Sequence, residues 1–88
     1  MRQIITTNRF EKELELCRKR GKNLQKIKDI ILLLEKAEPL LPKHHDHYLI
    51  GNYSGRKECH IEPDWLLIYK IDGDKLILER TGTHSDLY

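Results

Sequence analysis

Eighty-eight residues, 39% hydrophobic and 34% charged, leave room for one sheet and two helices around a small core, and for no second domain. The net charge of +2 is too mild to separate a nucleic-acid binder from any other globular domain. Cys17 and Cys59 stand far apart without a CxxC spacing, which argues against a zinc knuckle or a disulfide framework, and no apolar run approaches the roughly 20 residues that span a bilayer. The expectation is one cytoplasmic domain over residues 1–88, with no membrane contact.

Gln3 to Thr7 is short and β-branched and reads as a first strand. Asn8 and Glu11 have the spacing of a capping box, which predicts a helix starting near Asn8. Its Phe10, Leu14 and Cys17 share a face, and Gly21 is a natural stop. Asn23 caps a second helix with a stripe of Leu24, Ile27, Ile31 and Leu34, widened by Ile30, Leu33 and Ala37 and ended by Pro39 and Pro42. Arg18, Lys19, Arg20, Lys22, Lys26 and Lys28 form a basic block at this helical hairpin. It is either a solvated face or a surface that tracks phosphates.

Lys43 to Tyr48 reads as a polar surface loop. From Tyr53 onward alternation puts Arg56, Glu58, His60 and Glu62 on one side of a strand and Lys57, Cys59 and Ile61 on the other. Trp65 to Ile71 is almost continuously apolar, as a strand buried on both faces would be. Asp72-Gly73 signals a hairpin into a further strand, Lys75 to Thr81, and Gly82-Thr83-His84 leads the chain out of the sheet. The predicted fold class is α+β in the order β-α-α-β-β-β. Two N-terminal helices pack on one face of a small twisted, mainly antiparallel sheet, and the other face stays open.

The groups able to move protons are His44, His45, His47, His60, Asp64 and His84, with Glu58 and Glu62 as weaker candidates. Two imidazoles suit a reaction that needs a base and an acid at once near neutral pH. RNA transesterification is one such reaction, and Arg80 could supply the cation that steadies the phosphate. Each residue also has a plainer reading. Surface histidines such as His44 and His45 are more often solvated than catalytic, Trp65 is more often a core anchor than a stacking platform, and Asp64 after a proline can simply close a turn. His45, His47, His60 and His84 lack the ligand spacing of known zinc sites, so no metal and no cofactor is expected.

Three blocks carry a resemblance: Asp46-His47-Tyr48-Leu49, Glu58-Cys59-His60-Ile61-Glu62-Pro63-Asp64-Trp65 with its apolar run to Tyr69, and Glu79-Arg80-Thr81-Gly82-Thr83-His84-Ser85. In order and spacing they resemble the YafQ branch of the RelE-like toxins of bacterial type II toxin–antitoxin systems. The resemblance covers nearly the whole chain and implies a compact α/β ribonuclease fold. It further implies an mRNA interferase that cuts mRNA in the ribosomal A site and is neutralised by a cognate antitoxin, with ribosomal RNA contacts through Arg18, Lys19, Arg20 and Lys22. The matched catalytic positions are His47, His60, Asp64 and His84. Trp65 and Arg80 match positions near the substrate, Tyr88 matches a C-terminal aromatic, and Glu58 stands where related sequences carry aspartate. In this reading His84 is the general acid, His60 or His47 oriented by Asp64 is the base, and Arg80 holds the phosphate. Two rivals remain: a non-catalytic ParE-like toxin acting by protein contact, and an RNA-binding module.

Overall fold

The computed structural model describes Met1 to Tyr88. Strand β1 (Gln3–Thr6) leads into helix α1 (Asn8–Lys19), whose cap is Thr7 and not the expected Asn8. The Thr7 hydroxyl accepts from the Phe10 N–H at 3.0 Å and donates to the Glu79 carbonyl at 2.9 Å, so one side chain both starts the helix and pins it to the sheet. The capping-box reading was therefore one residue late. Helix α2 (Leu24–Glu35) is capped by Asn23 as expected. It ends before the prolines, because Ala37 takes a left-handed conformation at φ 58° and the Glu38 N–H reaches back to the Leu33 carbonyl.

The segment read as a surface loop holds a 3-10 turn, Pro42–His44, and a two-residue strand β2 (His47–Tyr48). A second 3-10 turn, Gly51–Tyr53, precedes β3 (Lys57–Glu62), which begins later than the alternation from Tyr53 implied. Strands β4 (Trp65–Asp72) and β5 (Lys75–Gly82) form the predicted hairpin, with Gly73 at φ 60° meeting the turn's demand for a positive dihedral. A one-turn helix α3 (His84–Leu87) follows. The strand order is β1-β5-β4-β3-β2, with β1 parallel to β5 and every other pair antiparallel. No helix is long and apolar enough to cross a membrane.

Helices α1 and α2 cover one face, burying Phe10, Cys17, Ile27, Ile30 and Leu34 against Cys59, Ile61, Trp65, Leu67, Tyr69, Leu76 and Leu78. Both cysteines are free and buried, in keeping with a packing role. The opposite face is not open. Leu66 and Ile68 are closed off by Leu87 of α3, with Leu49 and Tyr53 packed alongside. Fully burying an aliphatic side chain of this size is worth about 1.5–3 kcal/mol, so this second cluster fixes where α3 sits. It explains why β4 reads as apolar on both sides.

Candidate active site

Register decides which side chains meet. His47 on β2 lies directly opposite Glu58 on β3, and Glu58 and His60 lie opposite Ile68 and Leu66 on β4. Cross-strand partners project to the same side, so His47, Glu58 and His60 all stand on the face away from α1 and α2. The irregularity between His60 and Glu62 then breaks the alternation. Glu62 consequently reaches the helical side, where its carboxylate accepts from Lys26 at 2.8 Å and Lys22 at 3.3 Å. The expectation that Glu62 shares a face with Glu58 and His60 is overturned by that bulge.

His84 arrives from the other direction, on the first residue of α3. Thr83 caps this turn in a reciprocal capping box with Asp86, whose carboxylate also accepts from Arg20 at 2.6 Å. The Arg20 guanidinium first, and the Thr83 N–H second, pull the Asp86 carboxyl down to about 2. Gly82 permits the tight return: a Cβ there would stand 2.9 Å from the Asp86 side chain. The His84 ring then lies 5.6 Å from that of His60, while His47 and His45 lie 6.5 and 5.4 Å from His60 on centroid distances.

Two carboxylates divide the imidazoles. Asp64 Oδ1 accepts from the His84 backbone N–H at 2.9 Å and from its Nδ1–H at 2.6 Å, which leaves Nε2 free. Those bonds, the backbone one above all, hold the Asp64 carboxyl below its ordinary value. Asp64 thus orients His84, and the expectation that it orients His60 or His47 is corrected. That task falls to Glu58, which is 5% exposed. Its Oε1 lies 3.6 Å from His47 Nε2 and 3.5 Å from His60 Nε2, while its Oε2 accepts from the Tyr88 hydroxyl. Partial burial, and then the Glu58 carboxylate, push the Tyr88 phenol up, so it stays a donor. His47 Nδ1 donates to the His45 carbonyl at 2.5 Å, which fixes the tautomer and leaves Nε2 facing Glu58. Asp46 anchors this loop, accepting from Lys57 at 2.9 Å and from the buried Tyr69 hydroxyl.

The arrangement is a shallow site with an acid–base group at each end, each backed by its own carboxylate. The family described as the bacterial toxin of type II toxin–antitoxin system, YafQ, matches residues 2–88. The chain belongs to the YafQ family. It is 40% identical over 88 residues to the mRNA interferase toxin YafQ of Escherichia coli K12, spanning 99% of this chain and 96% of that one. The crystal structure of YafQ from E. coli BL21(DE3) superposes with a TM-score of 0.95 at 38% identity, covering 100% of this chain and 99% of that one. YafQ in the E. coli DinJ–YafQ toxin–antitoxin complex gives 0.91 at 40% identity over 99% and 97% of the two chains.

Within this YafQ fold, two residues expected near the substrate are engaged elsewhere. Trp65 is 0% exposed, its Nε1–H donates to Thr81 Oγ1 at 2.9 Å, and the Lys22 ammonium covers its ring. It is a core anchor, since no nucleobase can reach a ring with no accessible surface. Arg80 is 9% exposed and its guanidinium donates to Glu13, to the Tyr53 hydroxyl and to the Asp86 carbonyl. Its side chain is committed to α1 and to the turn that carries His84, so it supports that turn and does not present a free phosphate clamp. Much of the basic block is similarly paired: Arg18 with Glu15, Arg20 with Asp86, and Lys22 and Lys26 with Glu62. His45, set aside in the sequence as a solvated side chain, packs edge-on against His60. Tyr53 was missed altogether, although it holds Arg80, the Leu87 carbonyl and the Tyr88 ring together. No local pattern in the sequence marks it.

Proposed function

We propose that this YafQ-family chain is an endoribonuclease that cuts mRNA by acid–base transesterification on the ribosome. The observation that carries the reading is the pair of independent carboxylate–imidazole units, Glu58 with His47 and His60 and Asp64 with His84, converging on one face. His60 or His47 takes the proton of a ribose 2′-hydroxyl, and Glu58 steadies the imidazolium that results. The 2′-oxygen attacks phosphorus, the bond to the 5′-oxygen breaks, and His84 Nε2 delivers its proton to that oxygen. The products are a 2′,3′-cyclic phosphate and a free 5′-hydroxyl, with no water consumed. Arg80 and Arg20 act as positioning residues for the His84 turn. Lys19, which makes no ion pair, and the rim of the basic block face ribosomal RNA, and a cognate antitoxin binds and neutralises the chain, a reading supported by the toxin–antitoxin complex that its E. coli relative forms with DinJ.

A ParE-like mode of action by protein contact would leave the ordered imidazoles without a task. His84→Ala should lower the cleavage rate about 10²–10⁴-fold, the range of one lost general acid, while Tm stays near that of wild type. Mapping 5′ ends on mRNA after induced expression is the direct test. Undiminished cleavage by the variant would remove His84 from the chemistry, and an absence of new ends with the wild-type chain would refute the nuclease reading.

A further inference from the structure

A cleft of about 510 Å³ opens beside the site, lined by Lys26, Lys43, His44, His45, His60 and Glu62. One wall is the 3-10 turn Pro42–His44, which enters at the β2 edge of the sheet, whereas His84 enters after β5 across the sheet, so this wall and His84 flank His60 from opposite sides. We infer that this cleft is a subsite for the RNA phosphodiester immediately 5′ of the nucleotide that supplies the attacking 2′-hydroxyl. The inference rests on the nuclease reading above, because that reading is what gives the two sides of His60 their polarity. The acid, His84, marks the side of the leaving 5′-oxygen, and the chain upstream of the nucleophile must run the other way.

The charges in the cleft favour an anion. Glu62, the only carboxylate in the lining, is answered by Lys26 within the cleft and by Lys22 from outside it, and Lys43 makes no ion pair. Lys43 is exposed, and His44, the last residue of the same 3-10 turn, is held by its Nδ1–H donating to the His60 carbonyl at 2.8 Å. That bond ties the wall of the cleft to the strand carrying the base. His45 has φ 47° and ψ 47°, a left-handed conformation costing a non-glycine residue about 1 kcal/mol. The bend places its ring against His60 at 5.4 Å and exposes it to solvent, where it can donate to a phosphate oxygen or lie along a ribose. Lys43 and His45 therefore bind the flanking nucleotide without touching the reacting atoms.

The test uses a dinucleotide whose first sugar is 2′-deoxy, so that no nucleophile is present, with and without a 5′-terminal phosphate. Binding to the full chain is followed by NMR titration. The terminal phosphate should tighten binding about fivefold, the upper range for one exposed ion pair, with shifts centred on residues 43–45. Lys43→Ala should abolish that gain. His45→Gly, which tolerates the left-handed backbone and keeps the carbonyl that binds His47, should diminish it. On programmed ribosomes Lys43→Ala should raise KM about fivefold and leave kcat within about twofold. No gain from the phosphate in wild type, a gain that survives Lys43→Ala, or a loss confined to kcat would each overturn the subsite. Failure of the wild-type chain to cut mRNA, with the phosphate-dependent binding intact, would instead refute the nuclease reading.

Discussion

Glu58 and Asp64 are six residues apart, yet they hold different imidazoles. Asp64 is open to solvent and acts through two short bonds to His84; Glu58 is buried and acts through one oxygen shared by two imidazoles. Removing the negative charge at Glu58 should therefore strand both candidate bases without disturbing the acid. Glu58→Gln is expected to lower kcat at least about tenfold while KM holds, because an amide cannot stabilise the imidazolium. An unchanged kcat would show that Glu58 only packs. Trp65 makes the complementary case. Trp65→Phe keeps the ring buried but loses the bond to Thr81, so it should cost about 1 kcal/mol of stability and leave the cleavage rate of the folded protein intact. If Trp65 stacked on a base, the rate would fall and the stability would not. The sequence could present His47, His60, Asp64 and His84 as one group because their spacing survives in the chain. It could not say which carboxylate faces which imidazole, since that depends on register across three strands.

Among the elements, α3 is announced only by the Thr83-x-x-Asp86 spacing of a capping box: it has four residues, two of them charged or titratable. Its position is set by contacts from four directions, namely the capping box, Arg20 from the end of α1, Arg80 from β5 and Leu87 against Leu66 and Ile68. Arg80 is the central tie. Its ion pair with Glu13 is largely buried, at 10% and 16% side-chain exposure, and breaking such a pair from one side leaves an unanswered charge worth about 3 kcal/mol. Glu13→Ala should therefore lower Tm by more than about 10 °C, and Arg80→Met should cost no more than that, with the double variant recovering part of the loss. A Glu13→Ala protein with wild-type stability would restore Arg80 as a free cation for phosphate. The bulge after His60 is the second element-scale device. Strict alternation would have put Glu62 beside His47 and His60; the bulge sends it to neutralise Lys22 and Lys26 instead.

For the whole molecule, the architecture was legible where hydrophobic periodicity is strong. Both helices, the apolar β4 and the β4–β5 turn follow from patterns that local physics produces. The two-residue β2 was not, because His47 and Tyr48 form a strand only by virtue of their partners Glu58 and Lys57. Nor was the covering of the second face, which needs α3 and Tyr53 to come together from distant segments. Acid stability should report that assembly. The Asp86 carboxyl is depressed from 3.8 to about 2 in the folded chain, so its contribution is fully present above pH 3.8 and is lost as pH falls toward 2. The difference in Tm between wild type and Asp86→Asn should thus be largest near neutrality and shrink across that interval. A constant difference would mean that Arg20 and Thr83 do not hold the charge.

The pairing of β1 with β5 bears on when the site can exist at all. Gln3 to Thr6 are made before the other strands, and their only neighbour in the sheet, Lys75 to Leu78, is made more than seventy residues later. Until then the opening strand has no ladder to join, Thr7 has no Glu79 carbonyl to bind, and α1 has no fixed seat. Contacts of such long sequence separation form late, since the chain between them must first be closed into a loop. A half-made copy of this chain therefore holds His47 and His60 without His84 or the closed sheet that seats them, so the site assembles only once synthesis has passed β5.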